Sequence, residues 1–172
     1  MKHDLVGLAE PGPERYHDTL LAAASRLFDD RDDREHWCAV IAICGNACDV
    51  AAAFALRSYA EADLQRQAQR LSAGRARKLR DLLRSKKTVN LKPKNQREVW
   101  ETLSQDRLTR WPDWIRYVRC VERRNAIVHE ARLPSGRRPD RADAVEALEV
   151  TGSLIAHLDA VMQGDPLVRG TR

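Results

Sequence analysis

The chain has 172 residues, a length that suits one folded domain with a sizeable core. Charged residues make up 32% and apolar residues 43%, which excludes a disordered chain. Its formal charge of +5 favours an anionic partner only weakly, since net charge alone does not specify a ligand.

Apolar residues at three- and four-residue spacing predict an all-α fold, an up-and-down bundle of about five to six helices. The predicted helices cover residues 14–29, 34–71, 75–84, 95–111, 113–132 and 140–162. Asn95, Asp113 and Asp140 are suited to cap the last three, because short polar side chains accept the unpaired amides of a first turn. We expect one domain over residues 1–164 and a flexible tail over 165–172. The inner side of the last helix is predicted to carry Val145, Leu148, Gly152, Ile155, Leu158 and Met162.

Two patterns bear on location. Residues 38–56 are apolar enough to suggest a membrane span, but Asn46 and Asp49 interrupt the run and alanines dilute it, so a buried core helix is predicted. Residues 1–10 lack the layout of a secretory signal. The four cysteines do not form a disulfide framework and fit a reducing compartment, so we expect a cytoplasmic protein with no membrane contact.

Residues 66–97 hold twelve Lys or Arg against one acid, Asp81. Such a region is either a solvated helix face or a track for an RNA backbone, which needs many cations and no fixed geometry. Its candidate RNA contacts are Arg75, Arg77, Lys78, Arg80, Arg84, Lys86 and Lys87. Trp100, Trp111 and Trp114 either stack on bases or belong to the core.

The fifth predicted helix holds the chemical centre of the chain. Its apolar stripe runs through Trp114, Tyr117, Val121 and Val128, and Arg124 stands where another apolar residue is expected. Asn125 and His129 are four residues apart and share a face beside that stripe. Placing a guanidinium at the edge of a core is costly unless it has a partner or a function.

These three side chains suit phosphodiester cleavage. His129 can transfer protons, Arg124 can stabilise the charge of a pentacovalent phosphorane, and Asn125 can orient the imidazole. Because one histidine does not obviously serve as both acid and base, we expect a homodimer with a composite site. In the structural alternative Arg124 pairs with a buried acid such as Asp49, and His129 is a core histidine.

Residues of the apolar second helix complete the candidate site. Asp49 and Asn46 are suited to hydrogen-bond Arg124 or His129 across the bundle, or to cap a helix bend. Gly45 marks a bend or a close helix contact. Cys44 and Cys48, with His36 and Cys38 nearby, match no closed zinc site, so no metal and no cofactor are expected. His157 is interpreted as a structural or surface residue.

The run from Arg124 to His129, after the helix of Trp114, Tyr117 and Val121 and before Gly-Ser-Leu-Ile-Ala-His-Leu in the last helix, resembles the HEPN superfamily over residues 111–162. That resemblance implies a dimeric helical bundle and a metal-independent endoribonuclease that leaves a cyclic phosphate, with Arg124 and His129 catalytic and Asn125 supporting. It also implies RNA as partner and an antitoxin or associated defence protein. Some members are non-catalytic modules that bind nucleotides or partners. The tyrosine that some toxins carry two residues after the histidine is Ala131 here.

Overall fold

In a computed structural model, residues 16–30, 33–62, 89–130 and 132–165 are described. They form five α-helices: α1 (Tyr16–Asp30), α2 (Arg34–Ala62), α3 (Lys94–Ser104), α4 (Trp114–Glu130) and α5 (Arg141–Gly164). A 3-10 turn, Leu108–Arg110, lies between α3 and α4, and the described residues include no strand. The predicted all-α helical bundle is therefore confirmed. The predicted helix over residues 75–84, the end of the second helix beyond residue 62 and the predicted tail beyond Asp165 lie outside the described residues.

The central element is α2, which packs against α1, α3, α4 and α5. Its buried side chains are small or aliphatic, and the alanines at 51, 52, 53 and 55 let neighbouring helices approach closely. By length and composition alone, residues Arg34–Tyr59 would pass for a membrane span, but 67% of their most apolar window is buried by the rest of the fold. The predicted core helix is thus present.

The fourth predicted helix corresponds to α3, but α3 begins and ends at residues other than those predicted. Pro93, not Asn95, occupies the N-cap of α3, and its carbonyl accepts from the amides of Gln96 and Arg97. The helix ends at Ser104 rather than near Pro112, because Gln105 adopts a left-handed conformation with φ of 58°. The Gln105 amide group donates to the carbonyl of Thr102 and so satisfies one acceptor of the last turn.

The last helix begins as predicted. The Asp140 carboxylate accepts from the Asp143 amide, and the Asp143 carboxylate accepts in return from the Asp140 amide, which makes a reciprocal capping box.

The predicted inner side of α5 is correct for Ile155, Leu158 and Met162, and for Leu148, which is partly buried and packs against the core. It is wrong for Val145 and Gly152, which are only half-buried. The buried residues are instead Ala144, Ala147, Val150, Thr151 and Leu154. Thr151 contacts Cys44 and Cys48, which places this side of α5 against α2.

The tryptophans belong to the core. Trp100 is fully buried, and Trp111 and Trp114 are each 8% exposed, so the interpretation of these rings as base-stacking platforms is wrong. Trp100 packs edge-on against Tyr59 of α2, with ring centroids 5.6 Å apart. The aromatic residues thereby fix the connection between α3 and α4 against the bundle.

Ion pairs hold one flank of α4 to α5. A guanidinium nitrogen of Arg116 lies 2.6 Å from the Glu149 carboxylate, and Arg123 donates to Glu146. Because this flank is occupied by α5, α4 turns its other sides towards α2 and towards solvent. Those sides carry the candidate site.

Candidate functional site

Arg124 lies directly against α2, at Gly45. A Cβ atom added at position 45 would lie 2.5 Å from Cγ and 2.9 Å from Cβ of Arg124. Both distances are shorter than real carbon contacts, so only glycine allows the two helices to meet here. Of the two roles predicted for Gly45, the close helix contact is the one present.

The Arg124 guanidinium is held by two residues of α2. Its Nη2 donates to Oδ2 of Asp49 at 2.9 Å, and its Nη1 donates to Oδ1 of Asn46 at 3.2 Å. The side chains of this ion pair are 14% exposed at Arg124 and 6% at Asp49. Both hydrogen bonds anticipated across the bundle are therefore present, and the interruption of the apolar stripe is explained by a partner of opposite charge.

The pair is incompletely satisfied. Oδ1 of Asp49 and Nε of Arg124 are buried and have no hydrogen-bond partner among the described residues. Burial raises the pKa of Asp49 above its usual range, and the charge and hydrogen bond of Arg124 offset that rise only in part. Arg124 thus faces a carboxylate that is costly to keep ionised.

Asn125 and His129 lie on the surface of α4. Both are exposed, and neither side chain makes a hydrogen bond or ion pair to any residue in the described ranges. The alternative of a buried core histidine is therefore wrong for His129. Because α4 continues to Glu130, the five residues from Arg124 to His129 correspond to about 140° of rotation at 100° per residue. Within one chain the guanidinium and the imidazole leave the helix in different directions.

The predicted apolar stripe of α4 ends early. Trp114, Tyr117 and Val121 are buried, but Val128 is 60% exposed. Val128 lies one turn beyond Arg124 on the same side of the helix. Ile127 is still buried, so α4 stays packed on one side beyond Arg124, whereas the apolar side chain of Val128 lies exposed beside His129.

The segment of residues 89–91 is tied to the same region. The amide of Val89 donates to the backbone carbonyl of Asp49 at 3.1 Å, and the amide of Leu91 donates to the Tyr117 hydroxyl at 3.0 Å. Asp49 therefore contacts Arg124 through its side chain and Val89 through its backbone. Neither contact of residues 89–91 was predicted, because both join positions far apart in sequence.

All seven predicted RNA-contact residues, from Arg75 to Lys87, lie outside the described residues. The described end of the basic region is largely paired with acids. Lys92 lies 2.7 Å from the Glu122 carboxylate, and Arg97 lies 3.6 Å from Glu101 and over the ring of Trp114. The described end of this region therefore contributes little unpaired positive charge.

The cysteines behave as core residues. Cys44, Cys48 and Cys120 are buried, and burial raises the pKa of Cys44 to about 12 and that of Cys120 to about 11. The thiol of Cys48 lies 3.4 Å from the Thr151 hydroxyl. No group of three or more His, Cys, Asp or Glu suited to a metal occurs within the described part of the chain.

His157 has partners that the sequence did not reveal. Its Nε2 lies 2.9 Å from the Asp106 carboxylate, and its ring stacks on Trp111 with centroids 5.3 Å apart. Fifty-one positions separate the histidine from its carboxylate, so no local pattern predicts the contact.

Comparison with known proteins identifies no relative: no family model, no curated protein and no solved structure matches the chain.

Proposed function

We propose that the chain is a metal-independent endoribonuclease of the HEPN type, active as a homodimer in toxin–antitoxin or phage-defence systems. The observation that carries this proposal is the placement of Arg124. Its guanidinium is fixed by Asp49 and Asn46 at the edge of the bundle, and an exposed histidine follows five residues later on the same helix. A fixed cation beside an accessible imidazole suits the charge and proton changes of phosphodiester cleavage.

In the proposed reaction the 2′-hydroxyl of RNA attacks the adjacent phosphorus. The new bond joins O2′ to phosphorus, the bond from phosphorus to O5′ breaks, and the products are a 2′,3′-cyclic phosphate and a 5′-hydroxyl. One imidazole removes the proton of the 2′-hydroxyl, and a second donates a proton to the leaving O5′. Arg124 stabilises the additional negative charge on the phosphorane oxygens, for which a planar guanidinium is well matched. Asn125 is proposed to orient the phosphate or the imidazole.

Two features favour a composite site made by two chains. The rotation of about 140° between Arg124 and His129 separates the two groups within one chain, and a single imidazole would have to act as both acid and base. A symmetric pairing through the surface of Val128 would bring a second Arg124 and His129 to the same cleft. We further propose a cytoplasmic location and control by an antitoxin or an associated defence protein.

Substitution of His129 is the cleanest test, because an exposed side chain without a described partner can be removed without disturbing the fold. We expect the purified chain to cleave labelled RNA in excess chelator, and His129→Ala to lower the rate by at least about 100-fold, the usual contribution of acid–base catalysis. His36→Ala is the matched control, since its ring contacts neighbouring Asp33 at the start of α2. Equal activity of His129→Ala and wild type would exclude this function.

Arg124 is tested by Arg124→Lys, which keeps the charge and loses the planar fork. Exposed Arg119 on the same helix provides the control Arg119→Lys. We expect a loss of cleavage only at position 124, with an unchanged circular dichroism spectrum. Equal cleavage by both variants would remove Arg124 from the reaction.

A non-catalytic helical module is the second candidate, and the buried Arg124–Asp49 pair favours it. An arginine whose charge is already paired within the chain can serve to join α2 and α4. This function predicts no RNA turnover by the wild type, together with loss of stability or of dimerisation in Arg124→Ala. Turnover that depends on His129 would exclude it.

A further inference from the structure

A cavity of about 390 Å³ opens at the N-terminal end of α4, between the α3–α4 connection and α5. Asp106, Arg107, Arg110, Trp111 and His157 are among the residues that line it. Its size suits a small ligand, since ligand pockets begin at roughly 300 Å³.

Two arginines of the cavity wall are available to a ligand. Arg107 and Arg110 are exposed, and neither guanidinium forms an ion pair within the described residues. The amide of Arg110 donates to the carbonyl of Arg107 at 2.7 Å in the 3-10 turn. Both arginines line the same cavity, so the two guanidinium groups flank one space.

The Asp106 carboxylate in the cavity wall already has two hydrogen-bond partners. The Oδ2 atom of Asp106 accepts from Trp100 Nε1 at 3.0 Å and lies 2.9 Å from His157 Nε2. Burial raises the pKa of Asp106, but the hydrogen bonds from His157 and Trp100 outweigh it and hold the pKa below its usual range. An ionised carboxylate only accepts, so His157 Nε2 carries the proton in this contact.

The cavity is therefore electropositive. Two unpaired guanidinium groups stand against one carboxylate that two donors already satisfy. Trp111 closes the back of the cavity through its stack on His157, with ring planes inclined by 22°. Paired guanidinium groups match the oxygens of a phosphate group better than a carboxylate, because a dianion engages both.

We propose that this cavity binds a phosphate dianion, either inorganic phosphate or the terminal phosphate of a mononucleotide, through Arg107 and Arg110. The site is separate from the proposed nuclease centre. Arg124 lies ten residues along α4 from Trp114, roughly 15 Å at 1.5 Å per residue. Neither site shares a lining residue with the other.

The Trp100 indole N–H is the natural reporter, because it donates to the carboxylate in the cavity wall. Titrations of the full chain with inorganic phosphate, adenosine 5′-monophosphate and adenosine are followed by nitrogen–proton correlation spectra. We expect both phosphate-bearing probes to shift the Trp100 indole resonance in a saturable manner, and adenosine to leave it in place. Tighter binding of the nucleotide identifies a nucleotide site, equal affinities identify phosphate itself, and both outcomes support the proposal.

Arg107→Ala/Arg110→Ala is expected to weaken binding of both phosphate-bearing probes at least about tenfold, as loss of two charge-assisted contacts predicts. Arg119→Ala/Arg138→Ala removes the same charge from exposed positions elsewhere and is expected to leave the affinity within about twofold. If both double variants weakened phosphate binding equally, the effect would be a general electrostatic attraction, and the proposed site would be wrong. The absence of any phosphate-induced shift of the Trp100 resonance would also overturn the site.

Arg124→Lys/His129→Ala separates this proposal from the nuclease. We expect unchanged phosphate affinity in that variant whether or not the wild type cleaves RNA. Loss of phosphate binding there would place the anion at Arg124 and overturn the assignment to Arg107 and Arg110.

Discussion

At the scale of single residues, Gly45 is tightly constrained by its contact with Arg124. Its missing side chain is filled by the start of the Arg124 side chain, whose Cβ is fixed by the backbone of α4. A flexible side-chain end could move away from an added methyl group, but a Cβ cannot move without its helix. Gly45 and Arg124 are therefore one packing unit, although 79 positions separate them.

We expect Gly45→Ala to lower the free energy of unfolding by about 1–3 kcal/mol, the usual cost of overpacking a close contact. Gly152→Ala is the control, because a Cβ at that helical position meets nothing within 4 Å. The control should be neutral or stabilising by up to about 1 kcal/mol, since alanine is the better helix former. Urea denaturation of the three proteins measures both effects, and equal behaviour of the two variants would contradict the contact.

The sequence already marked Arg124 as an anomaly, because a charged residue interrupted an apolar repeat. It also offered Asp49 and Asn46 as partners, because they were the polar residues in the most apolar helix. It did not reveal that Asn125 and His129 would stay exposed. That depends on how far α2 and α5 extend along α4, which is a property of tertiary packing and not of spacing.

At the scale of elements, the start of the last helix was predicted correctly, whereas both ends of α3 were misplaced. Asp140 was expected to cap the last helix and does so, because capping chemistry is local to four residues. The end of α3 was misplaced, because apolar Leu108 continued the helical repeat. In the structure that residue is buried from a 3-10 turn instead. A buried residue with helical spacing need not belong to the same helix.

The capping box gives a prediction with a defined pH dependence. We expect Asp140→Ala to destabilise the fold by about 1 kcal/mol at neutral pH, the usual cost of losing an N-cap, and Asp140→Asn to cost much less. The hydrogen bond from the Asp143 amide lowers the pKa of Asp140. The ionised Asp140 carboxylate therefore contributes fully to the free energy of unfolding above the pKa of an unfolded aspartate, near 3.9. That contribution is lost as the pH falls through the lower pKa of Asp140 in the folded protein.

Urea denaturation at pH 7 and at successively lower pH, down to about pH 2, tests this linkage. The difference between wild type and Asp140→Asn should shrink as the pH falls, since the amide keeps the cap and lacks the titration. A difference that is constant over this range would show that the Asp140 carboxylate does not titrate differently on folding.

At the scale of the whole molecule, α2 organises the bundle, and its thiols report on that packing. Cys44 and Cys48 face the interior from α2 and Cys120 from α4, whereas Cys38 is half-buried near the start of α2. Burial raises the pKa of all four thiols. The three buried thiols are expected to be less accessible to solvent than Cys38.

We expect one thiol, Cys38, to react with a chromogenic disulfide reagent in the native protein, and all four to react in denaturant. The physical reason is that only an accessible thiolate attacks the reagent. Cys38→Ala should abolish the native reaction. Rapid reaction of three or more thiols in the native protein would mean that α2 is not the buried centre of the fold.

Asp49 also imposes a consequence on any anion that binds at Arg124. If that anion displaces the carboxylate, Asp49 stays buried without its counter-charge, and its already raised pKa rises further. Binding is then linked to proton uptake, so affinity should increase as the pH falls.

Calorimetry with a non-cleavable 2′-deoxy oligonucleotide, in buffers of different ionisation enthalpy, would register the proton as a buffer-dependent heat. Asp49→Asn should remove that dependence, while buffer-independent heat in the wild type would mean that Arg124 keeps its partner. Asp49, which holds Arg124 in the free protein, would therefore compete with any anion that binds to Arg124. It would compete less strongly once its carboxylate is protonated.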